Sequence, residues 1–200
     1  MHKIPSYKHV FVIGAQKAGT TWLQHTFDID PKFYLPQQQE VHFFDRSQNE
    51  NIAKYIELYN ECNKKQISVD VTPAYLSVRG VIEKIQKNID IFPAYPKFVV
   101  LLREPVARAF AAYQMYLNKG RRYDNFFDAL NNDPEITEKS LYGKHIERWL
   151  NIFPKQDFKF VFFDEILSDP EHVYTKISNF LDLPDPISDY YKGIPINAGG

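Results

Sequence analysis

The chain has 200 residues, 44% of them hydrophobic and 16% aromatic, with a formal net charge of −1. That much apolar material supports a buried core and excludes a disordered chain, and one domain spanning residues 1–200 is the expected organisation. The near-zero charge argues against a general nucleic-acid binder. A lone cysteine, Cys62, allows no internal disulfide and fits a reducing compartment. The opening residues 1–9 lack the apolar block of a signal peptide. No stretch approaches the roughly 18–20 apolar residues of a membrane span, so a cytoplasmic location is expected.

The first apolar run, His9–Ile13, is a predicted strand that stops at Gly14, and a helix is predicted from Thr20. Between them stand Lys17 and Gly19. A strand that breaks through glycines into a helix start presents several backbone N–H groups, a geometry that holds phosphate or sulfate. Gly14 and Gly19 have the spacing of a Walker A loop, but Thr20 stands where its lysine belongs and Lys17 lies inside the loop. The loop reads as an anion cradle not built for ATP. Lys17 is its point cation, and Thr20 and Thr21 add hydroxyls.

Asp30–Arg46 follows as a long loop. Within it, Gln39-Glu40-Val41-His42-Phe43-Phe44-Asp45, if extended, sets Glu40 and His42 on one side and Val41 and Phe43 on the other. A carboxylate and an imidazole on one face can take a proton from a hydroxyl, more so where a dry aromatic pocket raises the carboxylate pKa. Helical spacing then covers Asn51–Asn60, a buried strand Ile67–Val71, and a further helix Val78–Ile89. The next strand, Lys97–Leu102, delivers Arg103 to its carboxyl end, and Pro105 suits the first turn of a helix. Arg103 can grip a second phosphate as a fork. Arg108, four residues after Glu104, either pairs with it along the helix or faces the ligand. Helical spacing over Leu141–Phe153 and Pro170–Leu181 flanks a fourth strand, Phe158–Phe163. Tyr142, Trp149 and Phe153 share a helix face that suits the core.

Buried strands alternating with helices imply an α/β fold, a three-layer sandwich around a central parallel sheet. Ligands bind such sheets beyond the carboxyl ends of the strands, where Gly14, Thr72 and Arg103 would fall. The six histidines show no zinc-ligand spacing, and there is no Gly-x-Ser-x-Gly elbow.

In this order, the segments resemble the sulfotransferases that use 3′-phosphoadenosine-5′-phosphosulfate (PAPS), most nearly the branch of heparan sulfate and related carbohydrate sulfotransferases and their bacterial relatives. Gln16-Lys17-Ala18-Gly19-Thr20-Thr21-Trp22-Leu23 is similar to the family's 5′-phosphosulfate loop. Glu40-Val41-His42-Phe43-Phe44-Asp45 resembles the segment whose glutamate is taken as general base. Val71-Thr72-Pro73-Ala74-Tyr75 looks like its Lys-Thr/Ser-Pro-x-Tyr turn, and Leu102-Arg103-Glu104-Pro105-Val106-Ala107-Arg108-Ala109 like its 3′-phosphate segment. Ser140–Trp149, with Tyr142, resembles the later helix that closes over the nucleotide. The resemblance covers residues 8 to about 183.

It implies the P-loop NTPase-like sulfotransferase fold, PAPS as donor and PAP as product, with no metal needed. The acceptor would be a small molecule or carbohydrate bearing a hydroxyl. The implied nucleotide contacts are Gln16, Lys17, Ala18, Gly19, Thr20, Thr21, Trp22, Arg103 and Tyr142. Lys17 would stabilise the leaving phosphate oxygen and Glu40 would act as base, with His42 sharing that task or orienting the acceptor. Phe43, Phe44, Tyr75 and Tyr116 are expected to line the acceptor side. The sequence departs from the family pattern in three places. Ala111 stands where a serine is usual, Val71 where carbohydrate enzymes often carry a lysine, and Gly200 falls inside what resembles the cofactor-covering loop, which is expected to be incomplete. Two competing readings are a P-loop kinase or NTPase, with Asp70 as its magnesium ligand, and a degenerate module that binds PAP without turnover.

Overall fold

A computed structural model describes residues 3–46, 51–183 and 192–196; the expected covering loop at 197–200 lies outside the described residues. Five strands, β1 (Lys8–Gly14), β2 (Phe33–Tyr34), β3 (Ile67–Val71), β4 (Lys97–Leu102) and β5 (Phe158–Phe162), form one sheet in the order β2-β3-β1-β4-β5. Every neighbouring pair is parallel. β3 is buried at every residue, and β1 and β4 at all but their ends. Such strands need apolar cover on both faces, which explains their near-continuous Val, Ile, Leu and Phe. Across the middle of the sheet Phe11, Phe98 and Phe158 stand in register and stack, with centroids 5.7 and 4.8 Å apart.

The chain leaves β1 through helix α1 (Thr20–Ile29) toward β2 at one edge, and leaves β4 through α4 (Pro105–Asn118) toward β5 at the other. Right-handed crossovers then put α1 and α4 on opposite faces of the sheet. Since β1 and β4 are neighbours, their exit loops part above the carboxyl ends and open a crevice there. Gly14 makes the first turn possible. Its φ is 141°, and a Cβ there would meet the Pro73 carbonyl oxygen at 2.6 Å and Leu76 Cβ at 3.0 Å.

Most expected elements are present, with shorter helices. α2 is Ile52–Glu57 rather than Asn51–Asn60. The span Val78–Ile89 holds α3 (Val81–Lys87), entered through Gly80 at φ 83° after a 3₁₀ turn over Pro73–Leu76. The two-residue β2 was not foreseen, because so short a strand has no readable periodicity. Downstream lie α5 (Phe126–Asn132), α6 (Pro134–Glu138), α7 (Tyr142–Leu150), α8 (Phe163–Ser168) and α9 (Pro170–Phe180). Trp149 and Phe153 are buried in the main core, as their shared face implied. A second, smaller core gathers Ala109, Tyr116, Ala129 and Ile136 beneath α4–α6. Among the described residues no helix is long and apolar enough to cross a membrane.

Candidate active site

The loop after β1 turns twice through left-handed backbone, at Lys17 (φ 70°) and at Gly19 (φ 93°). A Cβ on Gly19 would press within 2.9 Å of the Phe163 ring, so only glycine lets α1 start this close to α8. Gly19 is also the N-cap of α1 and brings no side-chain acceptor. The first-turn N–H groups are therefore left for an incoming anion. Gln16, Lys17, Gly19, Thr20, Thr21 and Trp22 line one cleft of about 610 Å³. Ala18 does not line it: its side chain is buried and its N–H closes the loop onto the Ala15 carbonyl at 3.2 Å.

Arg103, at the end of β4, lines the same cleft. Its guanidinium lies over the Phe163 ring, 4.6 Å from the centroid, and donates to the Lys17 carbonyl at 3.4 Å. The aromatic face holds the cation in place at the wall of the cleft. Glu104 does not pair with Arg108. It caps α4 instead, accepting from the N–H groups of Val106 (2.9 Å) and Ala107 (2.6 Å), and these bonds hold its carboxyl below the usual range. Arg108 is fully buried; its Nε donates to Ser140 Oγ at 2.7 Å and its Nη2 to the Ile136 carbonyl. It ties α4 to the α6–α7 junction rather than facing a ligand in the cleft. Tyr142 stands outside the cleft lining as well. Its hydroxyl is buried, and burial raises its pKa against the Arg108 charge, a hydrogen bond with the Arg103 backbone and the Arg103 charge.

The third wall is the turn at residues 39–45. It is not extended: His42 has φ 50° and no strand forms there. Glu40 and His42 nevertheless meet, because the turn brings Glu40 Oε2 to 2.7 Å from His42 Nε2. On the other side His42 Nδ1 lies 2.6 Å from Asp45 Oδ2. Burial works to lower the His42 pKa, but the hydrogen bonds and charges of Asp45 and Glu40 outweigh it and raise the value above 6.5. A carboxylate at each nitrogen favours the form of the ring in which both nitrogens carry protons.

Lys17, Arg103 and Lys119 face this space beside His42. Burial lowers the Lys17 pKa, and the charges of Arg103 and Lys119 lower it further. Both effects mark a cationic pocket that an anion would relieve. Lys119 and Met115, from the end of α4, line the cleft with Gln39, Glu40, His42 and Pro73. Sequence spacing gave no sign of Lys119, since its place depends on how far α4 runs. Asp45 was visible in its motif without a role. Phe43, Phe44, Tyr75 and Tyr116, expected on the acceptor side, are all buried and none lines the cleft. Phe43, Phe44 and Tyr75 pack in the main core and Tyr116 in the smaller core beneath α4. Asp70 is fully buried beneath three hydroxyls and does not reach the cleft, so it is no magnesium ligand there.

A family model described as the sulfotransferase domain matches residues 7–197. Mouse heparan sulfate glucosamine 3-O-sulfotransferase 5 is 34% identical over 196 residues, covering 90% of this chain and 54% of its own length. The chain thus spans about half the length of the curated relatives it matches. Among solved structures, a sulfotransferase from Alicyclobacillus acidocaldarius superposes with a TM-score of 0.77 at 22% identity, over 94% of this chain and 83% of its own. Mouse sulfotransferase SULT7A1, solved with PAP, gives a TM-score of 0.59 at 17% identity, over 96% and 64%. These two likenesses establish the fold.

Proposed function

The chain belongs to the sulfotransferase family, and from that premise we propose that it transfers a sulfuryl group from PAPS to a hydroxyl of a carbohydrate acceptor. The observation that carries this reading is the convergence of Lys17, Arg103 and the Glu40–His42 pair on one cleft. The heparan sulfate relatives support a carbohydrate acceptor, and the PAP-bound neighbour supports PAPS as donor. A kinase reading lacks its lysine after Gly19, and among the described residues no aspartate lines the cleft.

The donor would supply an activated sulfuryl group on a phosphate leaving group. Gly19, Thr20, Thr21 and the first turn of α1 would hold that phosphate, and Lys17 would neutralise the charge growing on its departing oxygen. Arg103, held over Phe163, would grip a second phosphate. Glu40 is the base in this scheme and His42 is not. An imidazolium whose two N–H groups are already committed to carboxylates has no lone pair with which to take a proton. Glu40 spends one oxygen on His42 and keeps the other for the acceptor hydroxyl, while Asp45 holds the ring from behind.

Calorimetry with adenosine 3′,5′-bisphosphate and with ATP tests the donor side. Binding of the bisphosphate alone, lost in Arg103→Ala, is expected; magnesium-dependent ATP binding would overturn the assignment. Sulfur-labelled PAPS offered with heparan sulfate, a neutral oligosaccharide and a simple phenol tests the acceptor. Transfer to the phenol alone would reject the carbohydrate reading.

A further inference from the structure

The backbone N–H groups of residues 41–44 belong to no helix or strand, yet each is satisfied. Those of Val41 and His42 donate to Thr72 Oγ1 at 3.2 and 3.3 Å. Those of Phe43 and Phe44 donate to Tyr75 Oη at 3.0 and 3.2 Å. A hydroxyl that accepts two N–H groups must send its own proton elsewhere. Both send it to the same carboxylate: Thr72 donates to Asp70 Oδ1 at 2.6 Å, and Tyr75 to Asp70 Oδ2 at 3.2 Å. Tyr55 donates a third proton to Oδ2 at 3.0 Å and in turn receives His9 Nε2–H at 3.0 Å. His9 is neutral there, because burial pushes its pKa down to about 3.

We infer that Asp70 is a positioning residue, which aims the hydroxyls of Thr72 and Tyr75 at residues 41–44 and so fixes where Glu40 and His42 stand. The inference rests on the reading of Glu40 as base only for its consequence in turnover; the placement of the turn can be measured separately. A carboxylate is required because it accepts three hydroxyl protons at once. An amide offers a single acceptor oxygen, so Asn at this position leaves a hydroxyl to turn its proton toward the backbone donors it should accept. The turn then loses its anchor while the phosphate loop, built from β1 and α1, keeps its own. His9 from β1, Tyr55 from α2, Tyr59 from the turn after it, Tyr75, and Asp45 are the titratable groups around Asp70.

The test is Asp70→Asn, followed by nuclear magnetic resonance titration of His42, amide hydrogen exchange and bisphosphate calorimetry. Expected are a His42 pKa that drops back toward 6.5, faster exchange at residues 41–44, and unchanged affinity for adenosine 3′,5′-bisphosphate. With whichever probe acceptor is sulfated, kcat should fall by about 10- to 100-fold, since small misplacement of a catalytic group costs that much, with KM for PAPS little changed. An unaltered His42 titration and exchange pattern would overturn the inference, whatever the turnover. Should Asp70→Asn not fold, Tyr75→Phe decides, with the same pattern confined to residues 43 and 44 and to His42. Glu40→Gln separates the two readings. Full activity in that variant rejects Glu40 as base and leaves the positioning measurements standing on their own.

Discussion

At the scale of single residues, charge and backbone strain are concentrated around the cleft. Lys17 holds a left-handed φ of 70°, which costs an L-residue about 1 kcal/mol, and its ammonium sits near two other cations. On the proposed reading the charge is needed in that place. Lys17→Ala should therefore lower kcat by roughly 10²–10³, with no loss in thermal midpoint; a variant of wild-type activity would remove Lys17 from the chemistry. His42 gives a signed pH effect. Its folded pKa is raised above 6.5, so its contribution to stability is complete below that value and is lost as pH rises through the raised one. Urea midpoints compared across pH 6 to 9 should fall more steeply for wild type than for His42→Gln. Asp70 acts over a different window. Burial raises it to about 6 from 3.8, against the hydroxyl bonds. Its stabilising contribution is full below 3.8 and fades as pH rises to about 6, a slope that Asp70→Asn should flatten.

At the scale of elements, helix ends do most of the positioning. α1 begins at a glycine that caps nothing, and α4 begins at a glutamate that caps two N–H groups. On the proposed reading the first end receives an anion, while the second is closed by its own sequence, so the acidic cap disfavours a competing anion at the start of α4. The spacing of Glu104 and Arg108 suits an ion pair, and it misleads because the cap holds Glu104 and the α6–α7 junction holds Arg108. Arg108→Met should cost about 1–3 kcal/mol, the penalty of leaving the Ser140 hydroxyl and the Ile136 carbonyl without their donor. Bisphosphate affinity should stay within twofold; a larger loss would return Arg108 to the ligand.

At the scale of the whole molecule, a net charge of −1 coexists with a cleft that gathers Lys17, Arg103 and Lys119. Their field is local, so affinity for a doubly phosphorylated nucleotide should fall as salt rises from 0.05 to about 0.5 M, where screening shortens the reach of charge. Salt-independent binding in calorimetry would place the nucleotide elsewhere.

The sequence by itself determined the parallel α/β sheet, the strand ends before Ala15 and Arg103, and the glycine-bounded loop between Gly14 and Thr20. These features are local, written in hydrophobic runs, glycine spacing and helix starts within a few residues of one another. Tertiary structure alone decided the rest. It folded residues 39–45 into a turn clamped by hydroxyls from the far side of β3, turned Phe43, Phe44 and Tyr75 into core, drew Lys119 to the cleft from the end of a long helix, and sank Asp70 beneath three hydroxyls. The turn and the cleft depend on groups dozens of positions apart meeting in space, and the hydroxyls over Asp70, though nearer in the chain, share no helix or strand with it; contacts of either kind leave no periodic trace.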